Sequence, residues 1–200
     1  MKRPASLSEE GSVPDVLPNA ANRAGDSIRV LAISGSLRAG ASNTAILDAA
    51  ARIAPAGMTV RRYPSIAALP HFNPDDELPD HGRLPAAVSE LRRLVGQSDA
   101  LLLSTPEYAH GLPGAFKNAL DWLVGSTEFP GKAVAVISPS ARSTHAPAQL
   151  REILSTMSAR LIERASVVVP LRSRDMDIDA IVADPQLSAV LRSVLAENLP

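Results

Sequence analysis

The side chains best suited to chemistry stand in one short stretch, Gly35-Ser36-Leu37-Arg38-Ala39-Gly40-Ala41-Ser42-Asn43-Thr44. Ser36, Ser42 and Thr44 carry hydroxyls, Asn43 an amide and Arg38 a permanent positive charge. Together they form a set of hydrogen-bond donors, the kind that surrounds a phosphate dianion. The stretch follows the apolar run Ile28-Arg29-Val30-Leu31-Ala32-Ile33 and leads into Ala45-Ile46-Leu47-Asp48-Ala49-Ala50. That order implies a strand, a small-residue loop and a helix start. A helix N-terminus adds unpaired N–H groups and the positive end of a dipole. Helix capping by Ser42 or Asn43 is the plainer reading and can coexist with phosphate binding, but it gives Ser36 and Arg38 no role.

The residue types also narrow the phosphate. Gly35, Gly40 and Ser42 approach the spacing of a triphosphate-binding loop, but Ala41 stands where that loop needs Lys. The dinucleotide fingerprint needs Gly-x-Gly-x-x-Gly and an acid about twenty residues on. Here Ser36-Leu37-Arg38 follows Gly35, and the next strand ends in Arg61-Arg62-Tyr63. A terminal monophosphate held from several sides remains.

A second cluster, Thr105-Pro106-Glu107-Tyr108-Ala109-His110-Gly111-Leu112-Pro113-Gly114, also follows an apolar run and precedes a helix. Its Pro and Gly residues shape a loop that can present backbone groups to a flat polar ring, with Tyr108 against the ring. A structural crossover with Tyr108 as a core plug is the alternative. Arg142 is a further candidate phosphate contact. His71, His81, His110 and His145 have no metal-ligand spacing, so no metal site is expected; His110 and His145 are placed in loops at the substrate mouth.

These loops need strands and helices to hold them. Strands are expected at 28–34, 58–63, 99–105, 132–138 and 167–170, and helices at 43–53, 84–95, 113–123, 148–164 and 187–199. Residues 64–82 read as a long loop with a short turn. Strands of nearly unbroken apolar character, alternating with amphipathic helices, describe an α/β doubly wound parallel sheet with helices on both faces. In such folds ligands bind beyond the C-terminal strand ends. Segments 35–43, 106–114 and 139–147 meet there.

Composition sets outer bounds. The chain has 200 residues, 46% of them apolar, a formal net charge of -1 and no cysteine. Disulfides, thiolate metal sites and thiol redox chemistry are therefore excluded, and redox chemistry would need a bound cofactor. The charge does not suit a general nucleic-acid binder, and no apolar run approaches a membrane span. A cytoplasmic location is the resulting expectation. Residues 1–27 read as a disordered or loosely packed extension and 28–200 as one domain.

The chain resembles the NADPH-dependent FMN reductases of flavodoxin-like fold, a family that includes quinone, chromate and azo-dye reductases. The matching pieces are Gly35-Ser36-Leu37-Arg38 with Ser42-Asn43, Leu69-Pro70-His71-Phe72-Asn73-Pro74-Asp75, Pro106-Glu107-Tyr108, and Lys117-Asn118-Ala119-Leu120-Asp121-Trp122-Leu123. The resemblance implies a five-stranded sheet in the order 2-1-3-4-5. It sets Ser36, Arg38, Ser42, Asn43 and Thr44 around the FMN phosphate. Pro106, Glu107, Tyr108 and Ala109 then follow the ribityl chain and ring, with Gly111 near the ring. Ala109 replaces the usual Asn, and Ser138 to Thr144 replaces a Gly-containing segment, leaving Ser138 and Ser140 as further contacts. The helix over 113–123 implies a homodimer or a dimer of dimers, with Trp122 in the core or the interface. The activity implied is hydride transfer from NADPH or NADH through FMN to a small-molecule acceptor such as a quinone, azo compound or free flavin, with no catalytic side chain required. A flavin-binding electron-transfer protein and a non-enzymatic nucleotide-binding regulator are the competing expectations.

Overall fold

The computed structural model describes residues 27–78 and 84–199. The extension expected over 1–27 lies, but for its last residue, outside the described residues.

Five parallel strand positions follow the order β2-β1-β3-β4-β5. They are β1 (Ile28–Ser34), β2 (Met58–Arg62), β3 (Ala100–Ser104), β4 (Ala133–Ser138) and β5 (Arg160–Leu161). A sixth strand, β6 (Val167–Val168), also pairs with β4. The helices are α1 (Ser42–Arg52), α2 (Ala86–Gln97), α3 (Gly114–Val124), α4 (His145–Thr156), α5 (Ile178–Ala183) and α6 (Pro185–Asn198).

Strand alternation divides the core in two. Leu31, Ile33, Leu101, Leu103, Val134 and Val136 point to one face and bury against residues of α2, α3 and α4. Val30, Ala32, Ala100, Leu102, Ala133, Ala135 and Ile137 point to the other, against residues of α1 and α6. β3 and β4 are buried throughout, as a sheet covered on both faces requires.

The chain departs from the expected elements in three places, one of them the additional helix α5 (Ile178–Ala183) ahead of α6. The helix expected over 148–164 is α4, which starts earlier and ends at Thr156. Ser158 takes a φ of 61°, and the Ala159 N–H reaches back to the Leu154 carbonyl while the Ser158 N–H reaches Ser155. This is a Schellman cap with Ser in the position that usually holds Gly, so the stop carries no glycine signal. The released chain enters β5, and the expected single last strand becomes two short ones, separated by a 3-10 turn over Glu163–Ala165. The loop over 64–82 contains two 3-10 turns, Ile66–Ala68 and Pro74–Glu77.

Candidate functional site

The C-terminal ends of β1, β3, β4 and β6 open onto one cleft of about 500 Å³. That is the size range of small-molecule and cofactor sites. The cleft depends first on how closely β1 and β3 can end. Gly35 N donates to the Ser104 carbonyl at 2.8 Å, carrying the ladder one step past β1. A Cβ at Gly35 would lie 2.4 Å from Thr105 Oγ1 and 2.9 Å from Phe116 Cγ, so this approach needs glycine.

Beyond Gly35 the loop folds on itself. Ser36 N donates to Ser34 Oγ at 3.3 Å, and Arg38 N donates to Ser36 Oγ at 3.3 Å. Helix α1 then begins after Ala41, whose side chain cannot cap it. Capping by Ser42 or Asn43 does not occur. Ser42 Oγ donates to the Arg174 carbonyl at 3.0 Å, and Asn43 Oδ1 accepts from buried Ser104 Oγ at 2.9 Å. Thr44 N and Ala45 N donate to the Ala41 carbonyl at 2.9 Å, so the Ser42 and Asn43 N–H groups are the ones left to the cleft that these two residues line.

The second wall is the loop between β3 and α3. Tyr108 and Gly111 exchange two backbone hydrogen bonds of 3.0 Å, closing a two-residue hairpin. Ala109 and His110 between them have φ values of 48° and 57°. That pair of left-handed residues is the mirror-type hairpin turn, which favours Asn, Asp and Gly. The hairpin is tied to α4 twice. Leu112 N donates to Gln149 Oε1 at 2.8 Å, and Glu107 Oε2 accepts from His145 N at 2.8 Å and Ala146 N at 2.9 Å.

Electrostatics give the cleft one sign. Arg38, Arg142, Arg172 and Arg174 line it, with Glu107 as the opposing carboxylate. The Glu107 charge is already committed to the α4 N-terminus. The Ala146 N–H holds its carboxyl below the usual range; burial opposes this, and the His145 N–H and the charges of His145 and His110 reinforce it. Arg172 is partly neutralised by Asp184, 2.9 Å away. The remaining donors suit an anion at the start of α1, and Ser42 can join them by turning its hydroxyl from the Arg174 carbonyl.

Comparison with known proteins gives the family. Residues 28–173 match the family model of the NADPH-dependent FMN reductases. The chain belongs to that family. It is 31% identical over 175 residues to an NAD(P)H-dependent FMN reductase of Pseudomonas aeruginosa, covering 85% of this chain and 92% of that protein. It is 33% identical over 147 residues to a quinone reductase of Escherichia coli K12, covering 70% and 76%. The solved structure of a flavoenzyme NAD(P)H:(acceptor) oxidoreductase from Paracoccus denitrificans superposes with a TM-score of 0.64 at 25% identity, covering 86% of this chain and all of that one. The protein is an FMN- and NAD(P)H-dependent oxidoreductase of flavodoxin-like fold.

In this reductase, seven of the residues expected at the flavin line the cleft: Ser36, Arg38, Ser42, Asn43, Pro106, Glu107 and Tyr108. Thr44, Ala109 and Gly111 are not among the lining residues. The Thr44 hydroxyl is paired with Ser34 Oγ at 2.9 Å, and Ala109 and Gly111 serve the hairpin turn. Arg142 and Ser140 line the cleft, whereas the Ser138 hydroxyl donates to the Ser140 carbonyl at 3.0 Å and shapes the loop.

Arg172, Ser173 and Arg174 were not anticipated. The signal for them is an Arg-Ser-Arg run just after Pro170, at another C-terminal strand end. His110 and His145, distant in sequence, stack with ring centres 4.3 Å apart.

The family-like motif on α3 is structural within this chain. Asn118 Oδ1 accepts from Phe72 N at 2.7 Å, Asn118 Nδ2 donates to the Pro70 carbonyl at 2.9 Å, and Trp122 Nε1 donates to the same carbonyl at 2.8 Å. Trp122 is fully buried, edge-on to Phe72, which resolves it as a core residue of this chain. Lys117 and Asp121 form the i,i+4 pair at 2.5 Å.

Proposed function

We propose that the cleft holds FMN with its phosphate at the start of α1, and that the reductase passes electrons from NAD(P)H to a quinone or another small oxidised acceptor. The observation that carries this reading is the uncapped α1 N-terminus, which opens into the same cleft as Arg38 and the β3–α3 loop. Ser36 and the first N–H groups of α1 bind the phosphate oxygens, Ser42 joins them by exchanging its bond to the Arg174 carbonyl for one to phosphate, and Arg38 supplies counter-charge. Asn43 braces the site through Ser104. The hairpin and Tyr108 orient the ring along the other wall, with Pro106 and the backbone of Glu107 beneath it. The bound flavin supplies the redox step itself, taking a hydride equivalent from reduced nicotinamide and returning two electrons to the acceptor. No acid or nucleophile from the chain is needed. The quinone reductase relative supports a quinone-class acceptor.

The resemblance of α3 to the family supports assembly as a homodimer or dimer of dimers, and exposed Val124 at its end suits a covered surface. No helix among the described residues is long and apolar enough to cross a membrane. We place the reductase in the cytoplasm.

The test is reconstitution with FMN followed by anaerobic titration with NADPH and NADH. The expected result is a yellow protein whose flavin absorbance bleaches with either nicotinamide and returns on addition of a benzoquinone. Failure to retain FMN at saturating concentration overturns the site. Retained FMN that neither nicotinamide reduces favours the electron-carrier alternative.

A further inference from the structure

We propose that Glu107, His110 and His145 form a binding site for a divalent transition-metal ion of the Zn²⁺ class at the rim of the cleft. This site is separate from the phosphate cradle and does not depend on flavin binding. The fold brings a carboxylate and an imidazole from the β3–α3 loop together with an imidazole at the start of α4, with one ligand atom from each within 4.8 Å of the others. Zinc takes nitrogen and carboxylate oxygen at about 2.0–2.2 Å, which puts tetrahedral ligands about 3.4 Å apart. Closing the present arrangement to that spacing needs rotations of exposed side chains by roughly one ångström.

The backbone prepares the arrangement. The double hydrogen bond between Tyr108 and Gly111 holds His110 in its left-handed conformation, and this directs the ring onto His145. Glu107 is fixed by the His145 and Ala146 N–H groups, both of which use Oε2. Its Oε1 accepts no hydrogen bond among the described residues, and neither do the ring nitrogens of His110 and His145 make one. Three ligand atoms without hydrogen-bond partners among the described residues therefore lie in one cluster, and a turn of one imidazole out of the stack aims both rings at a shared ion. A metal site that lacks such outer support loses affinity, whereas here the Glu107 hydrogen bonds to α4 provide it.

The donor set also selects the ion. Hard cations such as Mg²⁺ and Ca²⁺ favour oxygen ligands, whereas two imidazoles with one carboxylate favour Zn²⁺, Ni²⁺ or Cu²⁺. Three protein ligands leave a fourth position open toward the cleft mouth. Occupancy would clamp the hairpin to the start of α4.

Calorimetric titration of the full chain with Zn²⁺, repeated with Mg²⁺ and with FMN present, tests the site. The expected result is one Zn²⁺ per chain with micromolar affinity and no Mg²⁺ uptake. Each of His110→Ala and His145→Ala should weaken Zn²⁺ binding at least tenfold, and the double variant should abolish it. The thermal midpoint should rise with Zn²⁺ in the wild type and stay constant in the double variant. Both histidines are exposed, so the variants should retain the wild-type circular dichroism. His71→Ala serves as a control and should bind as the wild type does. Uptake that survives the double variant, equal uptake of Mg²⁺, or no saturable binding at one ion per chain overturns the proposal.

Discussion

The two ends of the sheet use the same strands and treat charge in opposite ways. At the N-terminal end, Arg29 donates to Asp99 through its backbone N–H at 2.8 Å and its guanidinium at 3.1 and 3.2 Å. The Asp99 N–H returns a bond to the Arg29 carbonyl at 2.7 Å, and Lys132 Nζ donates to the Ser98 carbonyl at 2.8 Å. Burial pushes the Asp99 carboxyl upward, but its bonds to Arg29 and the charges of Arg29 and Lys132 outweigh this and hold it below its ordinary value. Burial lowers the Lys132 ammonium, against the attraction of Asp99. Donors and acceptors at this end answer one another. At the C-terminal end, cationic and N–H donors face a cleft whose one lining carboxylate is spent on α4. Donors such as the Arg38 guanidinium that have no partner among the described residues mark the end built for a ligand.

The largest expected effect comes from filling the contact on which the cleft end rests. Gly35→Ala forces a carbon against Thr105 and Phe116 at the junction of both walls. Overpacking at such a site should cost about 3 kcal/mol of stability, with FMN affinity falling as well. Denaturant unfolding and a flavin titration check both. A variant as stable as the wild type would show that the two walls have room to move apart.

Arg38→Ala separates binding from folding. Arg38 is exposed and makes no ion pair among the described residues, so the thermal midpoint should hold within a degree or so. Removing a charge-assisted contact to phosphate should cost about 2 kcal/mol of FMN binding, or roughly thirtyfold in Kd. An unchanged Kd would remove Arg38 from the phosphate site. Asp99→Ala should show the reverse pattern. It breaks a partly exposed, hydrogen-bonded pair, so stability should fall by about 1 kcal/mol while FMN affinity stays the same.

The contrast between the ends also shows what the sequence could disclose. β1, β3 and β4 were legible because burial on both faces leaves almost no polar interruption. The phosphate loop was legible because hydroxyls, amide and Arg are local to one strand–helix junction. Three features were hidden for one shared reason: they depend on tertiary placement. The Asn43 amide reads as a ligand contact until the fold brings Ser104 beside it. Arg172 and Arg174 lie beyond the last expected strand, and only the pairing of β6 with β4 carries them to the cleft. His110 and His145 have no meaningful spacing along the chain, and only the hairpin and the α4 N-terminus bring them together. The early end of α4 was hidden differently, because Ser158 does locally what glycine usually announces.

The smallest effect concerns the one carboxylate in the cleft, and acid should reveal it. Glu107 is held below its ordinary range first by the Ala146 N–H, against burial, and then by the His145 N–H and nearby histidine charge. An unfolded glutamate titrates near pH 4.3, so the native chain binds this proton less readily than the unfolded chain. By linkage, the Glu107 contribution to stability is fully present above that pH and is lost as pH falls through the lower folded value. Glu107→Gln keeps an acceptor for α4 but has no charge to titrate. The flavin-free wild type should therefore melt slightly higher than the variant at pH 7, and the two midpoints should converge as the pH is lowered from 5 to 3. Parallel melting curves across that range would mean that the carboxylate charge does not hold the hairpin to α4. The cleft end would then owe its shape to neutral hydrogen bonds, with the charge available to whatever binds at the rim.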